Sequence, residues 1–442
     1  MAQTPEAMMR RYLILTTVDV LARANNREHQ LIAHLAPRFE KIVVVYRRRC
    51  PKGSWRQTLA DALIPRARAI ERDGVTFIEV NPLFNNAEGL AGEASGHQDF
   101  ADGPATHRSF ARQWLFGAIS GLGVFKDVST ILCLAFFAWK ICPGRFDIAT
   151  ALGPWGAVAG LILRRFGWTD CLVYEDRDYE PGFIRTPLRR RWAAWLERIC
   201  MQRADLVIAI GQRLAELRHH QTGRQVSLVP TGVDTARFRC PPRGRRPKPV
   251  LIYAGNLAPW SGLDLVLTAL PRIRAAIPAV QCVFVGSGLP QFRRHLEALI
   301  GTLGLEDAVR FTGQVPYEEV RAHLAEAAVG LALFQPNDLR RYAAPLKVLE
   351  YMAAGLPTIS TAESEAADLV TREACGVAVD FSVEAFTKAV LEMLQDDESY
   401  QHMSHRAGCA AAKYDWSSLM ATEYSLLGDA YKKAIAGRSS AN

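Results

Sequence analysis

The chain reads as an α/β protein made of two doubly wound parallel-sheet domains, and three observations say so. Short apolar, β-branched runs recur along it, each followed by a stretch of helical periodicity, and they fall into two separate series. A proline- and arginine-rich stretch without apolar periodicity, ARFRCPPRGRRPKP, parts the two series. The length, 442 residues with 49% apolar and 22% charged, is enough for two cores rather than one.

Taken in order, the first series is YLILTT from Tyr12, KIVVVY from Lys41, VTFIEV from Val75, FDIATAL from Phe146, CLVYE from Cys171, DLVIAI from Asp205 and QVSLVP from Gln225. Unbroken apolar runs of this length suit strands covered on both faces. Within this series, residues 88–106 (EGLAGEASGHQDFADGPAT) are small, polar and glycine-rich and read as a mobile loop. The segment from Trp114 to Cys142 holds two apolar pieces, WLFGAISGLGVF and ILCLAFFAWKIC, parted by Lys126 and Asp127. Each falls short of the ~20 residues of a spanning helix. They read either as two helices buried in the first domain or as contact with a membrane face.

The second series is PVLIYAG from Pro249, QCVFVG from Gln281, VRFTG from Val309, VGLALF from Val329, PTIST from Pro357 and GVAVD from Gly376. Helical patterns close the chain, FSVEAFTKAVLEMLQDD and AKYDWSSLMATEYSLLGDAYKKA, before a tail that should fray. The expected division is a first domain over 1–235, a linker over 236–249, a second domain over 250–412 and a closing helix over 413–442, with ligands in the cleft between domains.

The net charge is +8, with basic clusters at Arg47 to Arg49, Arg189 to Arg191 and Arg243 to Lys248. No recognition motif or basic-aromatic run accompanies them, so nucleic acid is not an expected partner, whereas anionic lipid or phosphorylated substrates are. A peripheral contact with anionic membrane is part of that expectation. The nine cysteines are odd in number and scattered, which points to a reducing compartment and to neither zinc nor a redox couple. The apolar run near the start is short and meets Asp19, so it reads as a core strand and not a leader, and the expected location is cytoplasmic, on the inner membrane face if attached.

The most informative stretch is PLKVLEYMAAGLPTIST, Pro345 to Thr361. It reads as an amphipathic helix opening on Pro345 and stopping at Gly355 and Pro357 before a buried strand. A helix start exposes backbone N–H groups and partial positive charge, so a diphosphate at Pro345 and Leu346 is stabilised there, and Lys347 adds a full charge. Glu350, one turn on, can accept from a pair of ribose hydroxyls. The plain alternative is a surface helix with a solvated Lys and Glu at i, i+3. Gly255, after an apolar strand, lets backbone approach a phosphate; Gly286 and Gly288 either do the same or turn the chain. Arg340 and Arg341 suit phosphate or an acidic sugar, or a solvated loop. Trp260 either stacks on a ring or caps the core.

These residues sit in five motifs, PTGVDTARF, YAGNL, FVGSG, VRFTGQVPYEEV and PLKVLEYMAAGLPTIST, whose order and spacing resemble the large retaining GT-B glycosyltransferase family, group 1 or family 4-like. The resemblance covers the second half well and the first half only in architecture. It implies two facing Rossmann-like domains, a nucleotide-sugar donor, and a closing helix, YDWSS onward, that returns to the first domain. Carried over by position, it puts Glu350 on the ribose, Lys347 on the diphosphate, and the loop Gly313 to Pro316, with Gln314 and Val315, beside the base; Gly255, Asn256, Arg341 and Tyr342 are further candidates for the donor site. Departures accompany it: Tyr342 stands where members often have a glutamate eight positions before the ribose-binding one, and Asn256 and Ser261 stand where many have a basic pair.

The activity so implied is that of a retaining hexosyltransferase moving sugar from a nucleotide-diphosphate donor to a glycan or lipid-linked acceptor, as in assembly of a bacterial surface polysaccharide. Such transfer rests on positioning and on stabilising the departing diphosphate, so neither a cofactor nor a metal is expected. In the first domain the resemblance implies a His or Asp facing the sugar just after a strand, and VYEDRDYEPGF offers Glu175, Asp176 and Asp178 there, with Asp176 the preferred candidate; the alternative is surface carboxylates paired with Arg177 or Arg185. The DRD triplet also resembles the metal-binding pair of the single-sheet glycosyltransferase fold, which the two strand series argue against. Two other readings use the same frame: a nucleotide-sugar epimerase, and a non-catalytic partner that kept the fold.

Overall fold

The computed structural model of the protein describes residues 9–21, 27–48, 65–83, 110–184, 186–242 and 248–439. The loop expected at 88–106 lies outside these, as do Arg49, Arg185 and Arg243 to Pro247. The chain divides into two compact units: Met1–Ile210, Leu214–Val229 and Met420–Asn442 form one, and Gly211–Arg213 with Pro230–Leu419 the other.

The first unit holds an eight-stranded sheet: β1 (Arg11–Thr16), β2 (Lys41–Arg47), β3 (Arg66–Arg72), β4 (Val75–Asn81), β5 (Phe146–Leu152), β6 (Thr169–Asp176), β7 (Leu206–Ala209) and β8 (Ser227–Leu228). Their order is β3-β4-β2-β1-β5-β6-β7-β8, and every pair is parallel except β3 with β4. Strand β3 escapes the apolar pattern because it is RARAIER, a largely exposed edge. It turns into β4 through Asp73 and Gly74, both at positive φ (51° and 76°), which a tight two-residue hairpin requires.

The two apolar pieces of Trp114 to Cys142 are joined in one 32-residue helix, Phe110–Ile141. This corrects the expectation of two. The charges that part them are both buried, and Asp127 accepts two hydrogen bonds from Arg189, at 2.8 and 3.0 Å, so they do not break the helix. Its inner face, with Ile131, Leu134, Ala135 and Ala138, joins the core beneath the sheet. No helix among the described residues is long and apolar enough to cross a membrane. The last helix, Trp416–Ser439, returns to the first unit: buried Glu423 accepts from Arg27, the Tyr431 hydroxyl donates to Asp147 at 3.1 Å, and Arg438 pairs with Asp170.

The second unit holds six parallel strands: β9 (Val250–Ala254), β10 (Gln281–Val285), β11 (Val309–Gly313), β12 (Val329–Ala332), β13 (Thr358–Thr361) and β14 (Gly376–Val379). Their order is β11-β10-β9-β12-β13-β14. Alternation sends Leu251 and Tyr253 of β9 into one apolar layer and Ile252 and Ala254 into the other.

Candidate functional site

In the second unit the chain reverses its winding between β9 and β12, and an open parallel sheet takes its ligands at the carboxyl ends of the strands flanking such a point. Gly255 follows β9 there, and Phe334 follows β12, its backbone N–H held by the Thr361 hydroxyl at 2.9 Å. The helix Leu346–Ala353 leads from this edge toward β13. Its Lys347 ammonium lies 3.6 Å from the centre of the Tyr253 ring and 4.9 Å from that of Phe334. Both rings attract the cation through their π faces. A Cβ on Gly255 would stand 3.3 Å from the Lys347 Nζ, and Gly255 has φ 149°, so glycine leaves open the space in front of the ammonium.

Burial pushes Lys347 down to about 7, opposed by Glu350 and aided by Arg340. Glu350, on the same helix, accepts from the Tyr317 hydroxyl at 2.9 Å, and burial pushes it up to about 7 against the pull of Tyr317 and Lys347. Tyr317 opens the helix Tyr317–Glu326 directly after the Gly313 to Pro316 loop and stands edge-on to Phe238, with ring centres 5.2 Å apart. The structure therefore brings Gly255, Lys347, Glu350 and the 313–316 loop to one edge. Gly313 has φ 73°, Gln314 is exposed, and Val315 packs on the apolar layer below. Pro345 precedes the helix, and Leu346, its first residue, is exposed.

Arg340 lies over the Trp260 ring at 4.9 Å, so Trp260 stacks on a guanidinium. Arg341 pairs with Glu363 at 2.7 Å beside a small cavity of about 140 Å³ that Phe334, Asn337 and Thr361 also line. Tyr342 is half-buried, and Asn256 is exposed with its carbonyl accepting from Tyr253. Ser261 is buried and donates to the Ala258 carbonyl, so it faces inward. Gly286 and Gly288 are needed for packing: a Cβ on either would come within 2.1 or 1.8 Å of the Gly255 or Leu257 carbonyl oxygen. Sequence reasoning missed Tyr253, Phe334 and Tyr317; the available signal was an aromatic residue placed at the carboxyl edge of an apolar strand or at a helix start.

The expectation that Asp176 faces a sugar is corrected. Its carboxylate is only 1% exposed and accepts from Arg218 at 2.7 Å, while Arg218 also donates to buried Glu197 at 2.8 Å. Burial pushes Asp176 up, against the pull of Arg218. Neighbouring Glu175 and Arg177 are likewise paired, at 2.9 Å, in the interior. Among the described residues no group of His, Cys, Asp and Glu is placed to hold a metal ion.

A half-buried lysine poised near neutrality should take up a proton when a diphosphate settles on it. The free ammonium titrates about 7 and the anion favours its charged form, so affinity should fall as pH rises from 7 to the higher pKa of the complex. Calorimetry of nucleoside diphosphate binding at pH 8 in two buffers of different ionisation enthalpy should show this uptake, and Lys347→Met should abolish it.

Residues 239–408 match the model of a family described as Glycosyl transferases group 1. The chain is 29% identical over 271 residues to the GDP-mannose-dependent alpha-(1-6)-phosphatidylinositol monomannoside mannosyltransferase of Mycolicibacterium smegmatis, covering 57% of this chain and 69% of that protein. It is 32% identical over 210 residues to the protein of the same description from Mycobacterium tuberculosis strain H37Rv, covering 44% of this chain and 54% of that one, so the likeness spans about half of that relative. Among solved structures, sucrose-phosphate synthase from Thermosynechococcus elongatus aligns with TM-score 0.64 at 18% identity, over 97% of this chain and 100% of that one. Anabaena HepE in complex with UDP aligns with TM-score 0.64 at 16% identity, over 95% of this chain and 100% of that one. The fold is that of the GT-B glycosyltransferases, and the sequence likeness to group 1 transferases lies over the second unit.

Proposed function

We infer, from a second unit that carries the group 1 glycosyltransferase sequence, that the chain transfers a hexose with retention from a nucleotide-diphosphate donor to a lipid-linked glycan acceptor. The observation that carries this reading is the Lys347 ammonium, seated on two aromatic rings in front of Gly255 at the point where the sheet reverses. In that place it offsets charge on the departing diphosphate, which gains negative charge as the bond to the sugar breaks. Glu350, oriented by Tyr317, holds the ribose hydroxyls and so fixes where the diphosphate lies. The acceptor's proton passes to a donor phosphate oxygen on the face the leaving group occupies, so no side-chain base and no metal enters this reading. The names of the mycobacterial relatives support a GDP-mannose donor and a lipid acceptor.

The test is a donor panel of GDP-mannose and UDP-hexoses with phosphatidylinositol mannoside or polyprenyl-linked glycan, read by nucleotide diphosphate release. NMR of the product should show the donor's anomeric configuration kept; an inverted product would overturn retention. Epimerised sugar from donor alone would point to an epimerase, and donor binding without turnover to a non-catalytic partner, a reading that Tyr342 in the glutamate position favours. Glu350→Ala should weaken diphosphate nucleotide binding by roughly tenfold, the scale of a hydrogen bond to a charged group, and should remove the preference for the ribo- over the 2′,3′-dideoxynucleotide.

A further inference from the structure

We propose that the outer edge of the second unit's sheet receives an extended, basic segment of a partner protein by strand addition, a role separate from the donor site. Strand β14 ends that sheet and, among the described strands, pairs with β13 alone. Across this ladder the Thr358 N–H donates to the Cys375 carbonyl at 3.2 Å and the Ala362 N–H to the Val379 carbonyl at 2.7 Å. Alternate residues of a parallel strand turn to the same neighbour, so Cys375, Val377 and Val379 face β13, while exposed Ala378 turns its N–H and carbonyl outward. Proteins blunt such an edge with proline or lysine, and the strand's sequence, GVAV, carries neither.

Beside this edge, between β14 and the helices Val383–Gln395 and Asp397–Ala411, lies a cavity of about 890 Å³. Its apolar wall is made by Val377 and Val379 with Ala389, Met393 and Met403, and both methionines are buried. Methionine side chains adapt to apolar partners of varied shape. The charge around the cavity gives the chemistry of the partner. Asp380, Glu392 and Asp396 line it against one cation, Lys388, which lies 3.7 Å from Glu392 and is matched by it. Asp380 and Asp396 enter no ion pair among the described residues, so the rim is acidic on a chain whose net charge is +8. Four residues of strand span about 13 Å, so the segment that fits is short. Its alternate residues on the cavity side should be apolar, and its flanking residues lysine or arginine, within reach of Asp380 and Asp396. A second copy pairing β14 with β14 about a two-fold axis would instead bring the aspartates of both copies together.

The test is fluorescence anisotropy of the full chain with a labelled peptide of about nine residues, in which valine and threonine alternate between paired lysines. Saturable binding is expected, at least about tenfold tighter than for the same peptide with glutamates in place of the lysines. Methylation of alternate peptide nitrogens should abolish it, because strand addition needs the main-chain donors. Ala378→Pro removes the outward N–H and leaves the ladder to β13 intact, so it should weaken binding about tenfold. Asp396 accepts from the Ser399 N–H at 3.0 Å, a helix cap that asparagine keeps. Asp380→Asn with Asp396→Asn should therefore weaken binding about tenfold and remove most of its salt dependence. Thermal unfolding and nucleoside diphosphate affinity should stay unchanged in both variants; if Ala378→Pro lowers the melting temperature, the methylated peptide and the aspartate variant decide. No binding of the lysine peptide, equal binding of the glutamate or methylated peptide, or parental affinity in both variants would overturn the proposal. So would self-association in sedimentation velocity that Ala378→Pro dissolves.

Discussion

Lys347→Ala is expected to weaken UDP or GDP binding by about 100-fold, near the lower end of the ~2–5 kcal/mol that removing one partner from a desolvated charge pair costs. The expectation rests on place as much as on charge. The ammonium is held by Tyr253 and Phe334 and aimed past a residue with no side chain, so the anion meets a cation whose position is already fixed. UMP and GMP should lose less, because they present fewer phosphate oxygens. The same substitution should leave thermal unfolding unchanged or raise its midpoint, since burial already works against the charged form of this lysine. Calorimetry together with a melting curve checks both halves; equal affinity in variant and parent would remove Lys347 from the site.

Arg218→Ala should be the most destabilising single change in the first unit. Arg218 is 1% exposed and bridges Asp176 and Glu197, so its removal strands two interior carboxylates. Breaking a buried pair in this way costs about 3–5 kcal/mol. For a domain of this size that corresponds to a fall of roughly 10 °C in Tm. Asp176→Asn keeps the shape and leaves Arg218 its bond to Glu197, so it should cost less. If Asp176→Asn instead kept the melting temperature and abolished turnover, Asp176 would return as a residue of the chemistry.

The strands were legible because a sheet covered on both faces demands unbroken apolar runs, and the chain supplies them from Tyr12 to Gly376. Strand β3 was hidden by its charges, although the Asp73-Gly74 pair that sets its hairpin stood in plain view. The helix Phe110–Ile141 was read in two pieces because the cation that neutralises Asp127 lies on another helix. The site divides along the same line. Lys347, Glu350 and Gly255 announce themselves through local chemistry, a helix start and a bare turn. Tyr317, which orients Glu350, and the rings that hold Lys347 come from other elements and are brought together only by folding. Asp176 was misjudged for the same reason: its partner is 42 residues away.

The central claim is that the edge formed by Gly255, Lys347 and Glu350 receives the donor's nucleotide diphosphate. A crystal structure of the chain with UDP or GDP tests it most directly. Diphosphate oxygens are expected within hydrogen-bond reach of the Lys347 Nζ, and ribose hydroxyls on the Glu350 carboxylate. A nucleotide bound elsewhere, with Lys347 still seated on Tyr253 and no phosphate before it, would contradict it.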